Sequence, residues 1–182
     1  MMTALINNEY FANALDLYKN KSFTHLLKTE MTYALAIKAC QSANDFECGK
    51  RIISETNHSL LHSNIQIKNT LIDFYGHCGD IGNAKQIFAS MKDCQKDIIS
   101  INAMMSAYLN NANMSDANQL FYESIPDFRL RADATTFSIL LNRCSHCGGL
   151  RQAMLIYIKY VQKNEDKRVR HNPYIITCLV DC

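Results

Sequence analysis

Apolar residues along this chain recur three and four apart in short blocks, and the blocks themselves recur. Ile81, Ala84, Ile87, Phe88 and Met91 share one helical face, as do Met114, Ala117, Leu120 and Phe121. Stacking the segments YFANALDLY, DFECGKRII, DIGNAKQIF, NMSDANQLF and GLRQAMLIY brings Ala14, Gly49, Ala84, Ala117 and Ala153 into register, at spacings of 35, 35, 33 and 36. A second set upstream, Leu5, Cys40, Tyr75, Tyr108 and Cys144, repeats the same four spacings. Two elements therefore recur per period. In the second, a small residue lets the partner helix approach, and a large one four positions later fills the groove behind it.

A period near 35 with two helices per unit predicts stacked helix-turn-helix hairpins, because no single hairpin can bury its apolar face and its neighbours supply the rest of the core. The divisions fall at residues 30–64, 65–97, 98–133 and 134–172, with 1–29 a partial repeat and 173–182 the start of another, about five repeats in one domain. Both ends are expected to be cut mid-motif, which makes the chain a window on a longer array.

Composition narrows this further. Only 6 Gly and 2 Pro leave little punctuation for a β protein, and 48% hydrophobic with 20% charged residues is the make-up of a folded chain. The net charge of +2 conceals an asymmetry: Arg129 to Asn172 holds nine Lys and Arg against Asp133, Glu165 and Asp166, so this end is the expected polyanion face. The start, MMTALINNEY, has neither a basic leader nor a long apolar run, so the 8 Cys are expected to be reduced thiols, not disulfides. The longest uncharged stretch, Ile98 to Ser115, is interrupted by Asn102, Asn110, Asn111 and Asn113, which argues against a membrane span.

Candidate chemistry changes the picture little. His77, Cys78, Asp80 and the nearby Cys94 resemble a metal site until register is applied. His77 and Cys78 then align with His146 and Cys147, and with Ser42 and Ala43 elsewhere, as small or polar helix-end residues. Cys40 and Cys144 occupy the packing position that Tyr75 and Tyr108 fill in other units. The C-x-x-C of Cys144 and Cys147 has the gap of half a zinc knuckle, for which Cys178 and Cys182 could be imagined as the other half. A hairpin stack would hold those pairs apart, so no metal and no cofactor is expected. Phosphate-loop, nucleophile-elbow and zinc-protease patterns are missing, and no His is followed two places on by Glu, so no catalytic residue is assigned and the chain is expected not to be an enzyme. Recurring acids such as Asp73 and Asp181 are expected to be solvated or capping carboxylates.

The segments NTLIDFYGHCGDIGNAKQIF, ISINAMMSAYLNNANMSDANQLF, TTFSILLNRCSHCGGL and TYALAIKACQSANDFECGKRI resemble pentatricopeptide repeat proteins over nearly the whole chain. The uneven unit lengths resemble the organellar, plant-like class that mixes repeats of different length. The resemblance implies an all-α, right-handed superhelical solenoid that binds single-stranded RNA, one base per unit. A residue in the first turn of the first helix would read each base together with the last residue of the unit. Those pairs are Ala34 with Asn64, Asn69 with Asp97, Asn102 with Asp133, and Ser138 with Asn172. The family's pairing rules imply uracil for Asn with Asp and adenine for Ser with Asn, while Ala34 with Asn64 fits no strong rule. Without the resemblance, Asn69 and Asn102 would be taken for helix caps. Residues just before each reader, Ile99 among them, would wedge between bases, and Arg129, Arg131, Arg143, Arg151 and Lys159 would add salt-dependent attraction.

The resemblance also implies a role in organellar RNA processing or editing, in a mitochondrion or plastid with the mitochondrion favoured. A processing or editing enzyme is then a possible partner, and no membrane is involved. The alternative is a tetratricopeptide-like scaffold for protein–protein interaction, but its W-x₂-L-G-x₂-Y pattern is missing and the chain contains no Trp.

Overall fold

The computed structural model describes residues 10–19, 29–56, 64–127, 132–146, 154–161 and 167–180. Every regular element among them is helical. The chain divides into two compact units, Met1–Gln95 and Lys96–Cys182.

The first unit contains α1 (Phe11–Lys19), α2 (Glu30–Ser42), α3 (Phe46–Glu55), α4 (Ile65–His77) and α5 (Ile81–Ala89), then a 3₁₀ turn, Asp93–Gln95. Helix α2 packs against α1, α3 and α4, and α5 packs against α4. The first helices are therefore enclosed from several sides, which explains why their apolar residues do not keep to one stripe: Ile67, Leu71, Ile72 and Phe74 of α4 are all buried. The small residue of the repeat register has the use expected of it. A Cβ added at Gly49 would collide with the buried ring of Phe74, so the glycine is what leaves room for that ring between α3 and its neighbours. Phe46 meets the same ring edge-on at 6.1 Å. At α1, Tyr18 packs edge-on to Tyr33, and burial pushes its phenol up to about 12.

The second unit contains α6 (Ile98–Asn110), α7 (Met114–Asp127), α8 (Ala134–His146), a π-helical turn (Tyr157–Val161), α9 (Lys167–Arg170) and α10 (Pro173–Val180). Helix α6 packs on α7 and α8, and α8 on α10. Ala117, fully buried on α7, takes the place that Gly49 holds on α3. Phe121 then stacks edge-on against Phe137 of α8 at 6.2 Å and Tyr160 at 5.2 Å.

The hairpin turns repeat one solution. Asn44, Gly79 and Ala112 stand at the same place in their hairpins, and all three are left-handed, with φ of 54°, 81° and 56°. This closes the first helix, because the amides of Asp45, Asp80 and Asn113 donate back to the carbonyls of Cys40, Tyr75 and Tyr108, each at 2.9 Å. The same three residues then cap the second helices, accepting from the amides of Cys48, Asn83 and Asp116. Left-handed backbone is free for glycine and tolerable for Asn, but an Ala there costs roughly 1–2 kcal/mol.

The turn also accounts for the metal-like cluster. His77 ends α4, Cys78 is its C-cap, and the Asp80 carboxylate is taken up by the Asn83 amide at 3.1 Å and the Asn83 side chain at 2.7 Å. Partial burial pushes the Cys78 thiol up, away from the thiolate a metal needs. No group of three or more His, Cys, Asp or Glu gathers as a metal would require among the described residues. Of the two roles expected of Asp73, solvated or capping, the first holds: it lies inside α4 with 41% of its side chain exposed, accepts from Gln41 Nε2 at 2.9 Å, and its other oxygen is 3.6 Å from His77 Nδ1. Cys147, Asp181 and Cys182 lie outside the described residues, as do the side chains of Cys144 and Cys178. No described helix is long and apolar enough to cross a membrane.

Candidate functional site

Helices begin at Glu30, Ile65, Ile98, Ala134 and Pro173, and the residue preceding each of the last four is an N-cap. Asn64 Oδ1 accepts from the Gln66 amide at 2.8 Å, and Asp97 Oδ1 from the Ser100 amide and hydroxyl, both at 2.8 Å. Asp133 Oδ1 accepts from the Thr136 amide at 2.8 Å and its hydroxyl at 2.9 Å. Asn172 Oδ1 accepts from the Tyr174 and Ile175 amides at 2.9 and 3.4 Å. Every residue that closes a unit thus satisfies the orphan amides of the helix that opens the next.

The residues five places into the first helices are another matter. Asn69 and Asn102 are not caps, contrary to what their residue type alone suggests. They sit within α4 and α6 with only 9% and 8% of their surface exposed, and the side-chain carbonyl oxygen of each has no hydrogen-bond partner. A buried acceptor left unpaired costs roughly 1–3 kcal/mol. In the second unit this arrangement has a visible cause. Asn102 Nδ2 donates to Asp133 Oδ1 at 3.4 Å. Because a carboxylate only accepts, the amide must turn its NH₂ toward Asp133, which leaves Oδ1 as the group presented elsewhere. Helix packing brings this pair together across 31 residues of sequence.

The other pairs are arranged differently. Asn69 belongs to the first unit and Asp97 to the second. Ser138 is half-buried on α8, and Asn172 caps α10, the helix packed against it. Ala34 and Asn64 line one open hollow of about 330 Å³ between α2 and α4. Asn64 Nδ2 donates there to Glu30 Oε2 at 2.8 Å, a partner 34 residues away that no local pattern announces.

The position three before each of Ala34, Asn69, Asn102 and Ser138 is exposed. Met31 is 58% and Ile99 62% exposed, and Gln66 and Thr135 are also at the surface. The same register continues into α10, beyond the pairs assigned above. Tyr174, 75% exposed, stands in register with Met31 and Ile99, and Thr177 in register with Asn69 and Asn102, its hydroxyl donating to the Pro173 carbonyl at 2.9 Å. Counting forward from Pro173 by the interval used in the other units would have found both. Of the basic residues, Lys159 is exposed and lies over the rings of Tyr160 and Tyr122, at 4.9 and 5.9 Å. A hydrogen bond with Tyr160 holds its ammonium above the usual lysine range. Arg129, Arg131 and Arg151, and the side chain of Arg143, lie outside the described residues.

Comparison with known proteins agrees with this architecture. Residues 68–95 and 99–125 match the PPR repeat family. An Arabidopsis thaliana pentatricopeptide repeat-containing protein is 30% identical over 84% of this chain and 28% of its own length. A second from the same plant, named as chloroplastic, is 32% identical over 73% of this chain and 16% of its own. Among solved structures, the pentatricopeptide repeat protein PPR10 from maize superposes with a TM-score of 0.57 at 18% identity, over 98% of this chain and 30% of that one. The fold is the all-α helical-repeat solenoid, and the chain belongs to the pentatricopeptide repeat family. It spans under a third of the length of these relatives.

Proposed function

We propose that this chain binds single-stranded RNA, one base per hairpin, through the residues five places into the first helices and the caps that close each unit. The observation that carries this reading is the Asn102–Asp133 pair. Its geometry leaves a buried acceptor, Asn102 Oδ1, that a donor on a ligand would satisfy. Uracil offers such a donor at N3, where cytosine has a bare acceptor, so the pair favours uracil over cytosine by chemistry as well as by family rule. Asn69, with the same orphan oxygen at the same register, is assigned a second uracil with Asp97. Ser138 with Asn172 is assigned adenine. Read 5′ to 3′ from the N-terminal end, the preference is U, U, A.

Exposed Ile99 and Met31 supply apolar surface for base stacking beside the readers, and Lys159 supplies positive charge. The uneven spacing of the hairpins supports the mixed-length class of the family, and with it a role in processing or editing of RNA in a mitochondrion or plastid, together with an enzyme that carries out the chemistry. The chloroplastic name of one relative supports an organelle without choosing between the two.

The test is a competition assay with RNAs that differ only at the nucleotide facing Asn102. The parent should rank uracil first, and Asn102→Thr should move that preference toward guanine, with neighbouring positions unchanged. Identical ranking of the four bases by parent and variant would reduce Asn102 to a packing residue.

A further inference from the structure

We infer that the surface formed by α7 and the helical segment 154–161 is a self-association face, on which a second copy of this chain docks about a two-fold axis. In α3 and α5 the positions one, two, five and six places beyond the small residue of the register are all exposed. In α3 they are Lys50, Arg51, Ser54 and Glu55. In α5 they are Lys85, Gln86, Ala89 and Ser90. After Ala153 the same positions hold Met154, Leu155, Ile158 and Lys159, and the three apolar ones are 44%, 61% and 48% exposed. Tyr122, 43% exposed at the corresponding place on α7, extends the patch. Apolar surface gathered where the counterpart helices are polar marks a contact site.

These side chains are not core residues out of place. Ile156 and Val161, five apart as the π-helical turn spaces them, are 2% and 0% exposed and make the segment's core contact. Tyr160 meets Phe121 of α7 edge-on at 5.2 Å, and Lys159 lies over the rings of Tyr160 and Tyr122, so the two elements present one continuous surface. None of the patch residues belongs to a first helix, and the inference therefore stands apart from the RNA reading.

Charge decides what covers it. Glu123 and Lys159 hold the same register position on successive second helices, and both are exposed. Glu123 accepts from Gln119 Nε2 at Oε1, at 2.7 Å, which leaves its Oε2 for a partner, and the Lys159 ammonium has donors beyond its bond with Tyr160. A two-fold axis passing between the two elements sets Glu123 opposite Lys159 of the partner subunit, and Lys159 opposite Glu123 of the partner subunit. Two ion pairs then flank an apolar centre, the reciprocal pattern that an isologous interface requires. An anionic lipid surface would call instead for several bases and no acid.

The experiment is sedimentation equilibrium of the full chain, in which the parent should form a dimer. Leu155→Gln installs the residue that α5 and α7 carry in register, Gln86 and Gln119, and should weaken the dimer about tenfold, since the buried centre of an interface carries most of its energy. Lys159→Glu and Glu123→Lys should each weaken it about tenfold, because two attractive pairs become repulsive. Mixed in equal amounts, the two charge variants should recover the parent's affinity within about threefold, since each then meets its opposite, and that recovery also shows both to be folded. A parent that stays monomeric at every concentration overturns the inference. So does a dimer that any one of the three substitutions leaves unchanged, or a mixture that associates no more tightly than its components. Pelleting of the parent with vesicles of phosphatidylcholine and phosphatidylserine, lost in Leu155→Gln and with no dimer in solution, gives the patch to a lipid surface and overturns it as well.

Discussion

Asn64 and Asn102 are chemically the same side chain, each beside a carboxylate brought from more than 30 residues away, yet they leave opposite remainders. In the first unit the Asn is itself the helix cap, so its carbonyl is used by α4 and its NH₂ by Glu30. In the second unit the carboxylate is the cap, so Asp133 serves α8 and Asn102 together, and the Asn carbonyl is orphaned. Exchanging which partner caps the helix therefore exchanges what remains for a ligand. A recognition position in a repeat cannot be judged from the residue at that position alone; it depends on which hydrogen bonds the fold has already used.

The largest effect expected to separate the two sites is on stability. Asp133→Ala removes the cap of α8 and strands the NH₂ of the buried Asn102, and should cost about 2–3 kcal/mol. Asn64→Ala removes a cap and one hydrogen bond to the half-buried Glu30, with no buried amide stranded, and should cost nearer 1 kcal/mol. Denaturant unfolding of the two variants under one set of conditions makes the comparison, and equal losses would break it.

A smaller effect concerns orientation. Asp133→Asn keeps an oxygen for the Thr136 amide but no longer dictates which way the Asn102 amide turns. Preference for uracil over cytosine opposite Asn102, expected near fivefold in the parent from one matched hydrogen bond worth about 1 kcal/mol, should fall to near parity. An unchanged ratio in competition binding would show that Asp133 acts only as a cap.

The smallest effect sharpens the contrast between the units away from the sites. Ala112, in the turn of the second unit, has the left-handed backbone that Gly79 and Asn44 adopt at less cost in the first. Ala112→Gly should therefore stabilise by about 0.5–1 kcal/mol, and Asn44→Gly by only a few tenths. Thermal melts of the two variants suffice, and a larger gain at Asn44 would put the strain in the wrong unit.

Much of this protein follows from its sequence alone. Repeated spacing of Gly49, Ala84 and Ala117 was enough to place a second helix in each hairpin, since a small residue flanked by apolar ones at helical intervals has few other uses. The same register removed His77 and Cys78 from consideration as ligands, whereas Asn69, Asn102 and the closing residues were singled out only by the family resemblance. These features are local or periodic, which is why a single chain displays them. What the sequence could not give was the state of each hydrogen bond. Residue type made Asn69 and Asn102 look like caps, and only burial within α4 and α6 showed otherwise. The link from Glu30 to Asn64, the sharing of Asp133 between a helix end and Asn102, and the hollow left by Ala34 all depend on which helices lie side by side. Sequence period determines that two helices will pack, because burial of apolar area is additive and tolerant of detail. Tertiary structure alone decides which donor meets which acceptor, because a hydrogen bond is lost within an ångström of displacement.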